Sequence, residues 1–370
     1  MPSASGERVS ESDTPFKLKL FMGAQMRSPG YTWSLVLAGG EGCRLRSLTT
    51  DGAGASVPKQ FCSLFGATTL LEDALNRGCA VADGGRVCAI VADHHHRWWC
   101  KALRGLRSTN VIVQPSSRGT AIGILLPLLK ILARDRLARI VVLPSDHFVR
   151  DEAGLARSLR LAASLTETAE SNLVLLGISP DHPDPEFGYI VPGRPDRHGT
   201  FRVQRFVEKP DWATATGLLD AGALWNSFIF AVRGAALLEL YRRRHSTIVD
   251  AMAKAFTSGK AALGELYERL PNLDFSRDVL EGAEDTLRVL AVPGCGWSDL
   301  GTPQRVAECV RRCNASLTAR QQVRPGVVTL ATAHLRSIAE MGVSGATEHM
   351  LADRWSITQP RTGAEGVTLL

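Results

Sequence analysis

A glycine-rich turn follows the first apolar run of the chain, and it is the segment best suited to hold phosphate. Gly39, Gly40 and Gly42 stand within four residues, so the backbone can turn sharply and approach a ligand without Cβ clashes. The amides of such a turn can point at phosphate oxygens, and Arg44 adds a fixed guanidinium fork. The segment is not a Walker loop, and Leu45 replaces the third glycine of the dinucleotide-binding pattern. A plain strand-to-helix connection would look similar, so other segments must support the interpretation.

Three charged side chains could serve the same phosphate chemistry. Lys59 stands in Val57-Pro58-Lys59-Gln60-Phe61, Asp146 comes directly after an apolar run, and Asp299 lies in Gly296-Trp297-Ser298-Asp299-Leu300-Gly301. A carboxylate at the end of a strand can hold Mg²⁺, which prefers oxygen ligands. Each residue also has an ordinary alternative: a solvated lysine, a helix N-cap and a tight turn, respectively.

Short apolar runs that alternate with helical segments must position these residues. The runs are apolar on both faces, which favours a mostly parallel sheet covered by helices. Ligands of such sheets bind beyond the carboxyl ends of the strands. The predicted strands are 33–38, 87–92, 111–114, 140–143 and 173–178, and the intervening helices are 70–81, 121–132 and 155–165.

The alternation loosens after about residue 180. Strands are predicted at 187–191, 201–208 and 224–231, followed by a helical region at 234–283 and a strand at 287–292. We therefore expect a flexible leader (1–30), a main domain (31–313) with halves at 31–180 and 181–313, and a C-terminal appendage (314–370). The appendage is a candidate for dimer contacts, and the sequence leaves the oligomeric state open.

Taken together, these segments resemble the sugar nucleotidyltransferase family. Gly-Gly-x-Gly-x-Arg-Leu is followed by Leu-Thr and by Pro-Lys-Gln-Phe, and the last form resembles the mannose-1-phosphate guanylyltransferase branch. Five later segments resemble further family elements in the same order: Leu143–His147, Phe187–Ile190, Phe206–Pro210, Trp225–Phe230 and Gly296–Gly301. The resemblance spans about residues 34–303, and it implies a Rossmann-like, mixed and mostly parallel sheet flanked by helices.

The resemblance also implies a role for each site residue. The residues expected to bind nucleotide are Leu37, Gly39, Gly40, Gly42, Arg44, Lys59, Gln114 and Thr120. Those expected to bind the sugar phosphate are Gly188, Glu208, Lys209 and Asn226. Asp146 and Asp299 would hold Mg²⁺, and together with Arg44 and Lys59 they form the expected catalytic set.

The implied reaction joins GTP and mannose 1-phosphate to give GDP-mannose and pyrophosphate, as in polysaccharide precursor biosynthesis. Three departures from the family pattern leave alternatives open: Ser47 replaces a proline, Gly119 replaces an asparagine and Phe228 replaces a glycine. One alternative is a transferase for another sugar phosphate or nucleotide, such as glucose 1-phosphate with UTP or dTTP. Another is a weakly active regulator that binds a nucleotide sugar. Phe228 is expected to crowd the sugar pocket or to shift a backbone contact there.

Composition limits the remaining classes of function. The 370 residues carry a net charge of +6, and the arginine runs lack the aromatic interleaving of a single-strand nucleic-acid platform, so no nucleic-acid partner is expected. No apolar stretch has the ~18–20 residues needed to cross a membrane, and unpaired cysteines suit a reducing compartment, so we expect a cytoplasmic protein. His94-His95-His96, followed by Trp98 and Trp99, is interpreted as the start of an amphipathic helix and not as a metal site, because adjacent helical histidines point in different directions and cannot all bind one ion.

Overall fold

The computed structural model describes residues 31–50, 56–66, 68–167 and 173–323. Side-chain surroundings are described as far as Cys313, with Cys43 and Ser47 excepted. The expected leader (1–30) and the chain beyond 323 therefore lie outside the described residues. Within the described ranges, no helix combines the length and apolar character needed to cross a membrane.

Nine strands of the described chain form one sheet with the order β3-β2-β1-β4-β8-β5-β9-β7-β6. The strands are β1 (Thr32–Ala38), β2 (Val87–Ala92), β3 (Val111–Gln114), β4 (Arg139–Pro144), β5 (Leu173–Ile178), β6 (Gly188–Pro195), β7 (Phe201–Glu208), β8 (Leu224–Arg233) and β9 (Leu287–Val292). The predicted mixed α/β sheet is confirmed.

The two halves of the sheet differ in strand direction. Strand β1 is parallel to both β2 and β4, and β2 is parallel to β3. Strands β6, β7 and β8 pair only antiparallel with their neighbours, while β5 is parallel to β9. Because β2 and β4 lie on opposite sides of β1, the chain reverses its direction of travel across the sheet there. Such a switch point is where α/β sheets bind ligands.

Helices cover both faces of the sheet. Their bounds are α1 (Arg46–Thr49), α2 (Leu70–Cys79), α3 (His96–Ala102), α4 (Gly119–Arg134), α5 (Glu152–Leu165), α6 (Trp212–Asp220), α7 (Gly234–Ser258), α8 (Lys260–Arg269) and α9 (Pro303–Val323). Helices α4, α7 and α8 pack on one face, which includes Leu35, and α2 and α5 pack on the other, which includes Val36. This alternation follows from the two-residue period of a strand.

Local sequence signals explain where several helices begin. Thr69 and Glu72 form a reciprocal capping box that starts α2, because each side chain satisfies a free amide at the helix end. Asp151 and Asp211 accept hydrogen bonds from the first turns of α5 and α6. At the other end of the chain, α9 runs across the predicted boundary between 313 and 314, so 314–323 continue a helix.

Candidate active site

The glycine-rich loop after β1 is held against the segment that carries Lys59. The Gln60 amide donates hydrogen bonds to the carbonyl oxygens of Ala38 (3.2 Å) and Gly40 (2.9 Å). Gly42 has a φ of +63°, and a Cβ there would lie 2.9 Å from the backbone nitrogen of Lys59. Glycine is therefore required at this position both for its backbone angle and for the close approach. The structure thus brings the two predicted phosphate-binding segments together.

Gln114 extends this cluster from the end of β3. Its side chain is buried, and a Cβ on Gly39 would lie 2.4 Å from its Nε2 atom. No described residue forms a hydrogen bond with its Oε1 atom. A buried amide with a free acceptor is able to bind a ligand N–H group, because leaving it unpaired is unfavourable.

Leu37 and Thr120 are two further residues predicted to bind nucleotide, and each accepts a hydrogen bond from a backbone amide. The carbonyl of Leu37 accepts a hydrogen bond from the amide of Ser145, which joins the ends of β1 and β4. The Thr120 hydroxyl accepts a hydrogen bond of 2.8 Å from the amide of Phe275. The structure therefore places Leu37 beside the Asp146 segment, whereas Thr120 is tied to the chain that follows α8.

Asp146 stands just after β4 and pairs with Lys59. The Lys59 Nζ atom lies 3.0 Å from Asp146 Oδ2 and donates a second hydrogen bond to the carbonyl oxygen of Asp299. Burial opposes ionisation of the Asp146 carboxyl, but the charge of Lys59 and the hydrogen bond from its ammonium group, together with His147 when that ring is protonated, outweigh burial and keep the pKa of Asp146 below the ordinary value. Burial lowers the pKa of His147 to about 4, so that its ring is neutral near pH 7.

Asp299 is the second expected metal ligand, and its carboxylate is already occupied by hydrogen bonds. Both of its carboxylate oxygens accept hydrogen bonds from Arg305 Nη1, at 3.0 and 2.8 Å, and the amide of Gly301 donates another at 3.0 Å. The same guanidinium group binds Asp184 through Nη2. Asp299 thus lies beside Lys59 through its backbone, while its side chain is held by Arg305.

Three of the predicted sugar-binding residues converge where β6, β7 and β8 meet. Gly188 pairs with Glu208 in the sheet, and a Cβ on Gly188 would lie 2.5 Å from Glu208 Oε2 and 3.4 Å from Asn226 Cβ. The Asn226 amide donates a hydrogen bond of 3.3 Å to Ser276. The absence of a side chain at Gly188 leaves room for the carboxyl group of Glu208.

The carboxyl group of Glu208 in this cluster has a raised pKa. Burial raises its pKa to about 7, and the nearby negative charge of Asp274 adds to this effect. Lys209 and Arg277 act in the opposite direction without cancelling it. Near neutral pH, this carboxyl group is therefore able both to donate and to accept hydrogen bonds.

Arg44 and Lys209 are two exposed cationic residues of the predicted site. Arg44 is 61% exposed, and its Nη1 atom lies 2.8 Å from Glu186 Oε2. This ion pair joins the first helical segment of the described chain to the residues before β6. Lys209 is 49% exposed, and its Nζ lies 3.9 Å from Glu208 Oε1. Both side chains stand at the surface with solvent around them.

Of the two effects expected of Phe228, crowding of the sugar cluster is not observed, whereas an altered backbone is. Its φ is +58°, at an irregularity where β8 slips in register against β5, and its ring packs against Phe230 and Phe275. The side chains of Asn226 and Ser227 accept hydrogen bonds from the amides of Phe228 (3.1 Å) and Ile229 (3.2 Å), respectively. These side-chain acceptors replace ladder bonds that the irregularity removes, which explains how a non-glycine residue is held in a left-handed conformation.

Sequence reasoning missed Arg305, Asp184 and Asp274, because nothing in their local patterns marks them. Arg305 lies in the first turn of α9, and its partner Asp184 is 121 residues away. The interpretation of the histidine triplet was wrong in part. His94 and His95 precede the helix in a 3-10 turn and both approach Glu41, while His96 packs against Trp99.

The fold and this site define an α/β nucleotide-binding type of protein, with a glycine-rich loop at the switch point of the sheet. The chain belongs to the Nucleotidyl transferase family, whose profile matches residues 33–315.

Individual relatives agree with this assignment. The chain is 34% identical over 278 residues to the xanthan biosynthesis protein XanB of Xanthomonas campestris, covering 72% of this chain and 57% of XanB. It is 31% identical over 286 residues to the mannose-1-phosphate guanylyltransferase of Escherichia coli K12, covering 73% and 58%. It therefore spans a little over half the length of these relatives. A solved structure from Thermus thermophilus, described as a mannose-1-phosphate geranyltransferase, matches with a TM-score of 0.64 and 31% identity over 73% of this chain and 76% of that one.

Proposed function

We propose that this protein transfers a guanylyl group from GTP to mannose 1-phosphate, forming GDP-mannose and releasing pyrophosphate. The observation that carries the proposal is the position of Lys59, whose ammonium group joins the Asp146 carboxylate to the backbone of Asp299 beside the glycine-rich loop. The named activity of the Escherichia coli relative supports the choice of substrates.

The reaction would be a one-step in-line displacement. A phosphate oxygen of the sugar phosphate forms a bond to the α-phosphorus of GTP, and the bond to pyrophosphate breaks with its electron pair leaving on that group. The phosphate dianion is already a competent nucleophile, so no general base is required. The protein must instead align two anions and neutralise their repulsion, which is strong in a cleft of low dielectric constant.

Different residues of the site would bind different parts of the nucleotide. The amides of Gly39, Gly40 and Gly42 would bind the triphosphate, Arg44 would turn from Glu186 to stabilise the departing pyrophosphate, and Lys59 would contact the nucleotide phosphates. Gln114 has a buried acceptor without a hydrogen-bond partner among the described residues, which could accept from an N–H group of the base, and we assign Thr120 to the same part of the nucleotide.

The sugar phosphate would bind on the other side of the site. Glu208 and Asn226 offer side-chain hydrogen bonds to sugar hydroxyls, and Gly188 offers its backbone amide without a side chain in the way. The exposed ammonium group of Lys209 would contact the phosphate of the sugar.

The donor groups present fit Mg²⁺ at Asp146. This carboxylate is 37% exposed, and Mg²⁺ is commonly bound through one or two carboxylates together with substrate phosphates. Asp299 would join it only after its side chain leaves Arg305. When bound, the ion would neutralise phosphate charge and help to orient the two substrates.

A substrate panel tests the proposal. Purified protein is mixed with GTP, ATP, UTP or dTTP and with mannose or glucose 1-phosphate, and pyrophosphate release is measured with Mg²⁺ or EDTA. GTP with mannose 1-phosphate should be the fastest pair, and EDTA should abolish its turnover. Faster turnover of glucose 1-phosphate with UTP or dTTP would contradict the proposed substrates. A nucleotide that raises the melting temperature without any turnover would contradict the activity itself.

A further inference from the structure

Glu41, His94 and His95 form a cluster that the proposed reaction does not use. His94 Nε2 lies 3.0 Å from Glu41 Oε1, and His95 Nε2 lies 3.5 Å from Glu41 Oε2. One ligand atom from each of the three residues lies within 4.8 Å of the others. Two imidazoles and a carboxylate are a ligand set that zinc and related transition metals prefer, whereas Mg²⁺ favours oxygen ligands alone.

The sheet explains why these residues meet. Strands β1 and β2 are parallel neighbours in which Ala38 pairs with Val91, and Glu41 and His94 each follow that pair by three residues. The two histidines lie in the 3-10 turn after β2, with ring centroids 4.1 Å apart. Their convergence is therefore a property of the strand register, and His96, one residue further on, is excluded because it already belongs to α3.

The ring of His95 is held in place by its neighbours. His95 is buried, and its ring meets Phe61 and Trp98 edge-on, with centroids 6.0 and 5.6 Å away. These contacts fix the orientation of the ring beside Glu41.

The distances suit a small ion. Zinc binds nitrogen and oxygen at about 2.0–2.2 Å with tetrahedral geometry, which separates neighbouring ligand atoms by about 3.3 Å. The separations from His94 Nε2 to Glu41 Oε1 (3.0 Å) and from His95 Nε2 to Glu41 Oε2 (3.5 Å) lie on either side of that value and involve different oxygens of the carboxylate. A cleft of about 310 Å³ adjoins the cluster, so solvent or an anion could supply a fourth ligand. Its remaining walls are Arg46, Ser56, Pro58, Arg97 and Trp98.

We propose that Glu41, His94 and His95 bind one divalent transition-metal ion of the zinc class, separate from the magnesium position at Asp146. Glu41 stands between Gly40 and Gly42, so the bound ion fixes the glycine-rich loop to the end of β2 and adds positive charge beside it. We further infer that the ion strengthens GTP binding by this loop, an inference that rests on the proposed function.

Metal titration tests the site without any substrate. The full chain in excess Mg²⁺ is titrated with ZnCl₂ by calorimetry, and Co²⁺ absorption is recorded to report tetrahedral coordination and to reveal cysteine ligation by a thiolate charge-transfer band. One zinc per chain is expected, with affinity at least tenfold lower in Glu41→Gln, His94→Gln and His95→Gln. His96→Gln is the matched control and should bind like the parent. Circular dichroism verifies that each variant is folded.

The outcomes separate the site from its coupling to GTP. Unchanged zinc affinity in folded His94→Gln and His95→Gln, displacement of zinc by Mg²⁺, or a thiolate band with Co²⁺ would overturn the site. Zinc binding that leaves GTP affinity unchanged would overturn the coupling alone. Absence of GTP binding both with and without zinc would count against the proposed function and against the coupling, while the zinc titration would still decide the site.

Discussion

The acidic side chains of the candidate site occupy two contrasting regions. At the carboxyl edge of β1 and β4, Asp146 lies 3.0 Å from Lys59, and nearby Asp299 lies 2.8 Å from Arg305. Between β6, β7 and β8, Glu208 has its lysine neighbour at 3.9 Å. The pKa of Asp146 is below its ordinary value, whereas that of Glu208 is raised to about 7.

The contrast reflects both exposure and neighbouring charge, because the Asp146 side chain is 37% exposed and the Glu208 side chain only 9%. Burial opposes ionisation at both residues, and only at Asp146 does a close cation outweigh it. The difference suits the proposed substrates. Phosphates need cations around them, while uncharged sugar hydroxyls need a partner that can accept or donate hydrogen bonds.

The largest expected effect comes from removing the cation that holds Asp299. Arg305→Gln leaves two largely buried carboxylates, Asp299 and Asp184, without their partner, which should cost about 3–5 kcal/mol of unfolding free energy. Urea unfolding measures this loss. Arg311→Gln, in an exposed pair on the same helix, should cost less than about 1 kcal/mol. Equal small losses in both variants would show that Arg305 does not stabilise the carboxylates near β1 and β4, and the contrast with Glu208 would then lack its physical cause.

The second prediction concerns the paired carboxylate itself. Asp146→Ala should lower turnover about a hundredfold or more, the range expected when one group that stabilises transition-state charge is lost. Steady-state pyrophosphate release measures the effect. Asp83→Ala, an exposed carboxylate paired with Arg86, is the control and should leave turnover unchanged. Near-normal turnover in folded Asp146→Ala protein would remove Asp146 from the proposed metal role.

The third prediction concerns Glu208, whose raised pKa shows that the nearby cations do not offset its burial. Because the folded-state pKa of Glu208 is raised to about 7, its contribution to stability is fully present below the unfolded value of 4.5. That contribution is lost as the pH rises through 7. Glu208→Gln should therefore raise the unfolding free energy by about 1–3 kcal/mol at pH 8 and by much less at pH 5.

Denaturant unfolding at the two pH values checks this sign, with the exposed Glu265→Gln as control. The same Glu208→Gln protein should bind mannose 1-phosphate more weakly, because it loses an acceptor for sugar hydroxyls. A variant that is less stable than the parent at pH 8 would show that Glu208 is charge-compensated after all.

The smallest expected effect is a difference in stability between substitutions at two glycines of the glycine-rich loop. Gly42→Ala places a side chain at φ +63° and 2.9 Å from the backbone of Lys59, which should cost about 1–2 kcal/mol. Gly40→Ala meets no atom within 4 Å and should change stability by less than about 0.5 kcal/mol. Thermal unfolding compares the two. A similar melting temperature for both would mean that the loop adapts more freely than its packing against Lys59 indicates.

Local features of this protein could be predicted from the order of its residues alone. Apolar runs marked the strands, helical spacing marked the helices, and the glycine spacing marked the loop after β1, because each depends on residues close together in the chain. The resemblance of successive segments then predicted which residues should lie together. Gly188, Glu208 and Asn226 are indeed neighbours, and Lys59 does lie beside Asp146.

The partners of these side chains, by contrast, emerge only when the chain is folded. Arg305 reaches Asp299 and Asp184, Asp274 raises the pKa of Glu208, and the register of β1 with β2 brings Glu41 to His94 and His95. These partnerships join residues from about 50 to 120 positions apart, except for the pair six apart at the start of α9. Charge, burial and coordination depend on distance in space, and strand order and register set that distance.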